Sequence, residues 1–101
     1  MNGRRVVLNV DPATLRLPSE RREGADPAKL QRQIARFGKS SAEMPPVLVY
    51  RGSDGELMIS DGVTRATRIA KLEPGTLIRV ELQGVVAHAY GHLPTVKEKM
   101  P

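Results

Sequence analysis

With 101 residues, 40% hydrophobic and 27% charged, the chain has the make-up of one small globular domain, and its net charge of +5 suits an anionic partner as well as a plain solvated surface. The absence of cysteine excludes disulfides, thiolate metal ligands and a thiol nucleophile and fits a cytoplasmic setting, and no stretch approaches the ~20 apolar residues of a membrane span. Three aromatics, Phe37, Tyr50 and Tyr90, leave the core to Val, Leu, Ile, Ala and Met and argue against recognition of single strands by stacked bases.

Arg5 to Val10 is predicted as a first strand, ending at the turn pair Asp11-Pro12; its apolar run is short and broken at Asn9, unlike a signal-peptide core. Arg16 to Ala25 is polar, shows neither hydrophobic period and is predicted as a loop. Asp26 then offers an N-cap with Pro27 at the first helical position, and Leu30, Ile34 and Phe37 make one apolar stripe. Gly38 is placed to end that helix in the left-handed conformation. Pro45-Pro46 forces extended backbone into a strand from Val47 to Tyr50, which the turn Gly52-Ser53-Asp54-Gly55 joins to a strand from Glu56 to Ser60. A helix from Thr64 to Leu72 follows, with Ala66, Ile69 and Ala70 inward, Thr64, Thr67, Arg68 and Lys71 on the solvated side, and Arg65 at the boundary. Thr76 to Leu82 alternates as a strand, Ile78, Val80 and Leu82 on one face and Arg79 and Glu81 on the other. Gly84 to Tyr90 is compatible with one more short strand. The expected division is a domain over 1–85 and a polar, flexible tail over 86–101, and the element order predicts an α+β domain with a mixed sheet and two main helices.

The chemistry is concentrated at Asp61-Gly62-Val63-Thr64-Arg65. A strand runs into a glycine and directly into a helix, so first-turn N–H groups are free for an anion. Arg65 adds a forked donor set suited to phosphate. One reading is therefore a phosphate cradle made of Gly62, Val63, Thr64 and Arg65, with Arg68 in support. The other is a strand-to-helix turn in which Asp61 or Thr64 caps the helix, Arg65 pairs with a carboxylate and Arg68 is solvated. Asp61 reads either as a contributor to a magnesium site completed by phosphate or as a turn residue, and Glu43 either as a second acidic contributor or as a loop carboxylate. His88 and His92 are four apart, but Gly91 and Pro94 argue against a helix that would pair them as ligands. Arg4, Arg5, Arg16, Arg21 and Arg22 form either a patch for nucleic-acid backbone or an acidic protein, or a solvated edge.

Over Val6 to Leu15 and Leu30 to Leu82 the chain resembles the N-terminal domain of the ParB partition proteins, a fold shared with sulfiredoxin. The likeness rests on the helix closed by Gly38, on Pro45-Pro46-Val47-Leu48-Val49, on the turn with Asp54-Gly55, and on the box Gly62-Val63-Thr64-Arg65 followed by Ala66 and Ala70. It implies a nucleoside triphosphate, CTP or ATP, with Mg2+ at the box, and links to DNA partition, transcription or a toxin or defence system. Val63 and Thr64 stand where partition proteins usually carry glutamate and arginine, and where sulfiredoxin needs its cysteine; repair of an over-oxidised cysteine is thereby excluded. Gln83 to Pro101 is too short for a helix-turn-helix reader or a dimerising domain, so a small stand-alone member is expected. Three functions follow as expectations: a nucleotide-binding regulatory module, a metal-dependent phosphate-bond hydrolase (nucleotidase or nuclease), or a scaffold for protein interaction. The sequence does not speak to oligomeric state.

Overall fold

Alternation over Ile78–Val85 places Ile78 and Val80 inside and Arg79 outside, and this strand is the spine of the fold. In the computed structural model, which describes residues 5–101, the strands are β1 (Val6–Val10), β2 (Val47–Arg51), β3 (Leu57–Asp61) and β4 (Ile78–Val85). They form one four-stranded sheet in the order β1-β4-β2-β3. β1 runs antiparallel to β4, with Leu8 opposite Val80, and β2 runs parallel to β4, with Val47 opposite Val80. β2 and β3 are an antiparallel hairpin with an irregularity between Leu48 and Val49. A parallel pair needs a crossover, and here β3 and the helix α2 (Val63–Leu72) supply it. The protein is thus a small α+β domain with a mixed sheet and two helices, as the element order predicts. Among the described residues no helix is long and apolar enough to cross a membrane.

The helix α1 (Pro27–Phe37) forms as its caps dictate. Asp26 Oδ1 accepts from Ala28 N at 2.8 Å and Lys29 N at 3.3 Å, and the Gly38 N–H closes on Ile34 O at 2.8 Å. Gly38 has the positive φ expected of it, +57°, but its ψ of −129° lies outside the left-handed helical region. Leu30 is buried, whereas Phe37 at the end of the same stripe is 48% exposed. α2 places Val63, Ala66, Ile69 and Ala70 in the core beside Val47, Val49, Ile59 and Val80. Each such Val or Ile contributes roughly 1.5–3 kcal/mol by leaving water. The expected solvated side of α2 is a correction: Thr67 and Arg68 are each 2% exposed. The physical reason is that α2 packs against β2, α1 and the turn Pro12–Thr14, so three of its sides are covered. Thr67 meets the cost of burial by donating its hydroxyl to Val63 O at 2.8 Å.

The stretch from Arg16 is also more ordered than its composition predicts. Leu15 and Leu17 are buried to 1% and 0% exposure. Arg16 between them bridges to Met58 on β3 and to Thr95 in the C-terminal segment. Arg16 N donates to Leu57 O at 2.8 Å, Ile59 N donates to Arg16 O at 2.9 Å, and Val96 N donates to Leu15 O at 2.9 Å. The outer edge of β3 is thereby covered. The apolar/polar/apolar alternation of Leu15-Arg16-Leu17 is too short to register as a strand.

Residues 86–101 correct the expected flexible tail. Tyr90 and Leu93 are buried and Val96 lies in the core. No strand forms over Gly84 to Tyr90 beyond the end of β4 at Val85. The turn between β2 and β3 grips this segment through Asp54, whose carboxylate accepts from Gly91 N at 2.8 Å, Tyr90 N at 3.3 Å and Glu56 N at 3.2 Å. Gly52 is buried in the same grip, where an added Cβ would come within 2.9 Å of Asp54 Oδ1, His88 O and Tyr90 Cδ2. Partial desolvation pushes the Asp54 carboxyl up, but the N–H donors of Glu56, Gly91 and Tyr90 outweigh it and hold it below its ordinary value. A depressed carboxylate stabilises fully above the unfolded-chain value of about 3.9, and that contribution is lost as the pH falls through the lower folded value. Asp54→Asn is therefore expected to speed amide hydrogen exchange at Tyr90 and Gly91 at neutral pH, and the wild type to reach the same looseness only in acid. Unchanged exchange in the variant would show that the apolar contacts of Leu93 and Val96 hold the segment alone.

Candidate functional site

The end of β3 and the start of α2 meet at Gly62, with φ +113° and ψ 23°. That left-handed conformation is open to glycine at no steric cost. A Cβ at Gly62 would meet Arg65 Nη2 at 2.9 Å and Val47 Cγ2 at 3.1 Å, because the Arg65 side chain folds back over the glycine. No side chain caps α2, so neither Asp61 nor Thr64 serves as its cap. Arg65 Nη2 donates to Pro46 O at 3.1 Å and lies 3.7 Å from Asp61 Oδ2.

Arg68 is the other anchor, one turn further along α2. Its Nη1 donates to Gly38 O at 2.8 Å and Ser40 O at 2.7 Å, and its Nη2 lies 3.5 Å from Met44 Sδ. The guanidinium also stands 5.2 Å from the centroid of the Phe37 ring. Burial pushes its pKa below the ordinary arginine value. No carboxylate partners it; backbone carbonyls at the end of α1 do so instead, which suits the negative end of a helix dipole.

Between α1, α2 and the segment 38–46 lies a cavity of about 460 Å³, lined by Gln33, Phe37, Met44, Pro45, Arg65 and Arg68 among others. Glu43 sits on its wall and is the non-glycine residue at positive φ, +58°, among the described residues. A second cavity of about 380 Å³ shares Gln33 and Phe37 and is bounded by Thr64, Lys29, Arg32 and Arg36. The predicted site residues are thus divided. Arg65 and Arg68 share the first cavity and Thr64 lines the second; Gly62 and Val63 line neither, and the Val63 side chain is core. Gln33, Phe37, Met44 and Pro45 were not legible as site residues, because neither spacing nor residue type distinguishes them from an ordinary helix and loop.

Three buried side-chain polar atoms lack a partner among the described residues: Gln33 Oε1, Arg65 Nε and Arg68 Nε. All three belong to residues that line the first cavity. A larger concavity of about 820 Å³ lies between the Pro12–Thr14 turn, the end of α2 and the C-terminus. Arg16 is engaged there with Glu56 at 2.9 Å and Leu93 O at 2.8 Å, and Lys71 with Pro101 O at 2.8 Å, while Lys97 on the same wall is exposed.

Asp61 is exposed, faces Arg65 and lines neither cavity of the candidate site. Among the described residues no group of three or more His, Cys, Asp or Glu is placed to hold a metal ion. The chain's own carboxylates do not assemble a magnesium site with Asp61. His88 packs edge-on against Tyr90, their ring centroids 5.3 Å apart. The expected N-terminal basic patch is gathered only in part. Arg16 and Arg22 line one concavity together with Glu23, Glu98 and Lys99, whereas Arg5 pairs with Glu81 at 3.5 Å at the opposite edge of the sheet and Arg4 lies outside the described residues.

No protein-family model matches this sequence, and a search of curated proteins finds no match.

The two anchors make different predictions. Arg68→Met keeps much of the side-chain volume but leaves Gly38 O and Ser40 O without their donor. It is expected to cost roughly 2–4 kcal/mol in urea unfolding, given about 1.5–3 kcal/mol for a hydrogen bond to a charged group. Gly62→Ala is expected to cost roughly 1–3 kcal/mol from the strained backbone alone and to displace the Arg65 side chain. A crystal structure of Gly62→Ala with Arg65 unmoved would contradict the second expectation.

Proposed function

We propose that the chain is a nucleotide-binding module that takes the phosphate end of its ligand in the cavity between α1, α2 and the segment 38–46. One observation carries this reading: Gln33, Arg65 and Arg68, whose buried Oε1 and Nε atoms lack a partner among the described residues, all line that cavity. A buried polar group without a partner costs about 1–3 kcal/mol. A ligand that brings an anionic oxygen to either Nε–H group, or a hydroxyl donor to Gln33, offsets part of that cost. The apolar wall of Met44 and Pro45 suits a flat base.

The resemblance to the ParB and sulfiredoxin-like domains supports the same reading. Its box corresponds to Gly62 to Arg65, at the start of α2. The resemblance also brings a regulatory role in partition, transcription or defence, and the absence of cysteine suits a cytoplasmic setting. Val63 and Thr64 depart from the partition-protein box, so the base stays open between CTP and ATP. Magnesium, on this reading, arrives with the triphosphate. Binding is the activity proposed.

Thermal unfolding with CTP, ATP, GTP and UTP, each with and without Mg2+, tests the proposal. A nucleotide at about 100 times its Kd stabilises the fold by roughly 2.7 kcal/mol, a shift of ~10 °C or more in a domain of this size. Arg65→Ala, compared with its own ligand-free Tm, is expected to lose that shift. A flat response of the wild type to every nucleotide overturns the reading and leaves a scaffold for protein interaction.

A further inference from the structure

We infer that the second cavity, on the outer face of α1, is a docking site for single-stranded nucleic acid, separate from the nucleotide phosphate site beside it. Lys29, Arg32 and Arg36 bound this cavity, and no carboxylate does. Their spacing of three and four residues sets them along one face of α1, over ~10 Å of helix axis. All three are exposed. Among the described residues none of them forms an ion pair or a side-chain hydrogen bond. The nearest acid in sequence, Asp26, caps the helix and feels the charges of Lys29 and Arg32 without forming a contact pair with either. Three exposed cations on one face, free of contact ion pairs, match a ligand that carries a charge at every repeat.

Phe37 decides the class of polyanion. Phe37 is 48% exposed at the junction of the two cavities, with the Arg36 guanidinium 5.3 Å and the Arg68 guanidinium 5.2 Å from its ring centroid. An exposed aromatic flanked by arginine is a platform for an unstacked base. A duplex keeps its bases stacked and cannot reach into a cavity of about 380 Å³ on a single helix. An acidic peptide would satisfy the cations and leave the ring unused. The scarcity of aromatics in the chain therefore does not remove single-strand binding, because the one platform stands where the cations are.

Fluorescence anisotropy tests this with a labelled oligothymidylate of about 12 nucleotides, a size within the span such sites cover. The comparators are a duplex of equal length and a poly-glutamate peptide. The single strand is expected to bind best, with log K falling against log salt with a slope of about −2, for three phosphates at about −0.7 each. Lys29→Ala, Arg32→Ala and Arg36→Ala are each expected to flatten that slope by about 0.7, with Tm unchanged because all three side chains are exposed. Phe37→Ala is expected to weaken binding about tenfold and leave the slope alone. None of the three cation variants is expected to alter the nucleotide-induced thermal shift, and Arg65→Ala is expected to leave the oligonucleotide slope intact. The two readings can thus fail separately. No binding at low salt, a slope that no α1 variant alters, or poly-glutamate or duplex binding as tightly as the single strand would each overturn the inference.

Discussion

A guanidinium cannot leave water unless acceptors replace the solvent it gives up, and this domain has one that is 2% exposed. Arg68 is that group. It is satisfied by carbonyls at the end of α1 rather than by a carboxylate. The helix that carries it and the segment that receives it are therefore fixed with respect to one another. The position of the 38–46 segment follows from this, and so does the entry of Pro45-Pro46 into β2. Arg65 repeats the arrangement one turn earlier, donating to Pro46 O at the far end of the same segment. Two arginines three residues apart hold one loop at both ends, and the cavity is the space they keep open.

The same constraint explains why the cavity has chemical character. Each arginine spends terminal nitrogens on the loop and keeps its Nε–H buried and unused. The remaining donors cannot turn to find partners, since the loop carbonyls hold the planar groups in place. Donors fixed before a ligand arrives bind it without a further ordering cost. Gly62 belongs to this arrangement through space rather than through contact with a ligand, because the bare glycine leaves room for Arg65 to fold back.

The fold was largely legible in the sequence because its signals are local. Asp26-Pro27 and Gly38 delimit α1, and Pro45-Pro46 and the turn at Gly52 to Gly55 delimit the hairpin. The alternation of Ile78 to Leu82 marks the central strand. What was illegible depends on neighbours distant in the chain. Arg68 reads as solvated from the period of α2, and only the packing of α1 and the following loop makes it interior. Leu15 and Leu17 read as loop residues, since the partner that makes them core, Val96, comes from a segment whose polarity suggests a tail. Within the candidate site the arginines were legible by residue type. Gln33, Met44 and Pro45 were not, since their role is a matter of which wall they happen to form.

The two ends of the molecule use the same kinds of group differently, and the contrast supports the proposed site. Beside the C-terminal segment, Asp54 accepts from Glu56, Tyr90 and Gly91, and Arg16 donates to Glu56 and Leu93 O. Their bonding capacity is spent within the fold, which rigidifies the chain and leaves little to offer a ligand. Beside α1, buried polar atoms of Gln33, Arg65 and Arg68 remain unpaired, and Glu43 holds a backbone conformation uncommon for its type. Exposed cations stand at both ends, Lys29, Arg32 and Arg36 at one and Arg22, Lys97 and Lys99 at the other, so the difference lies in the buried groups. Buried groups left open lower the stability of the empty protein. Unspent buried bonding capacity, more than volume, is therefore what the proposed site rests on.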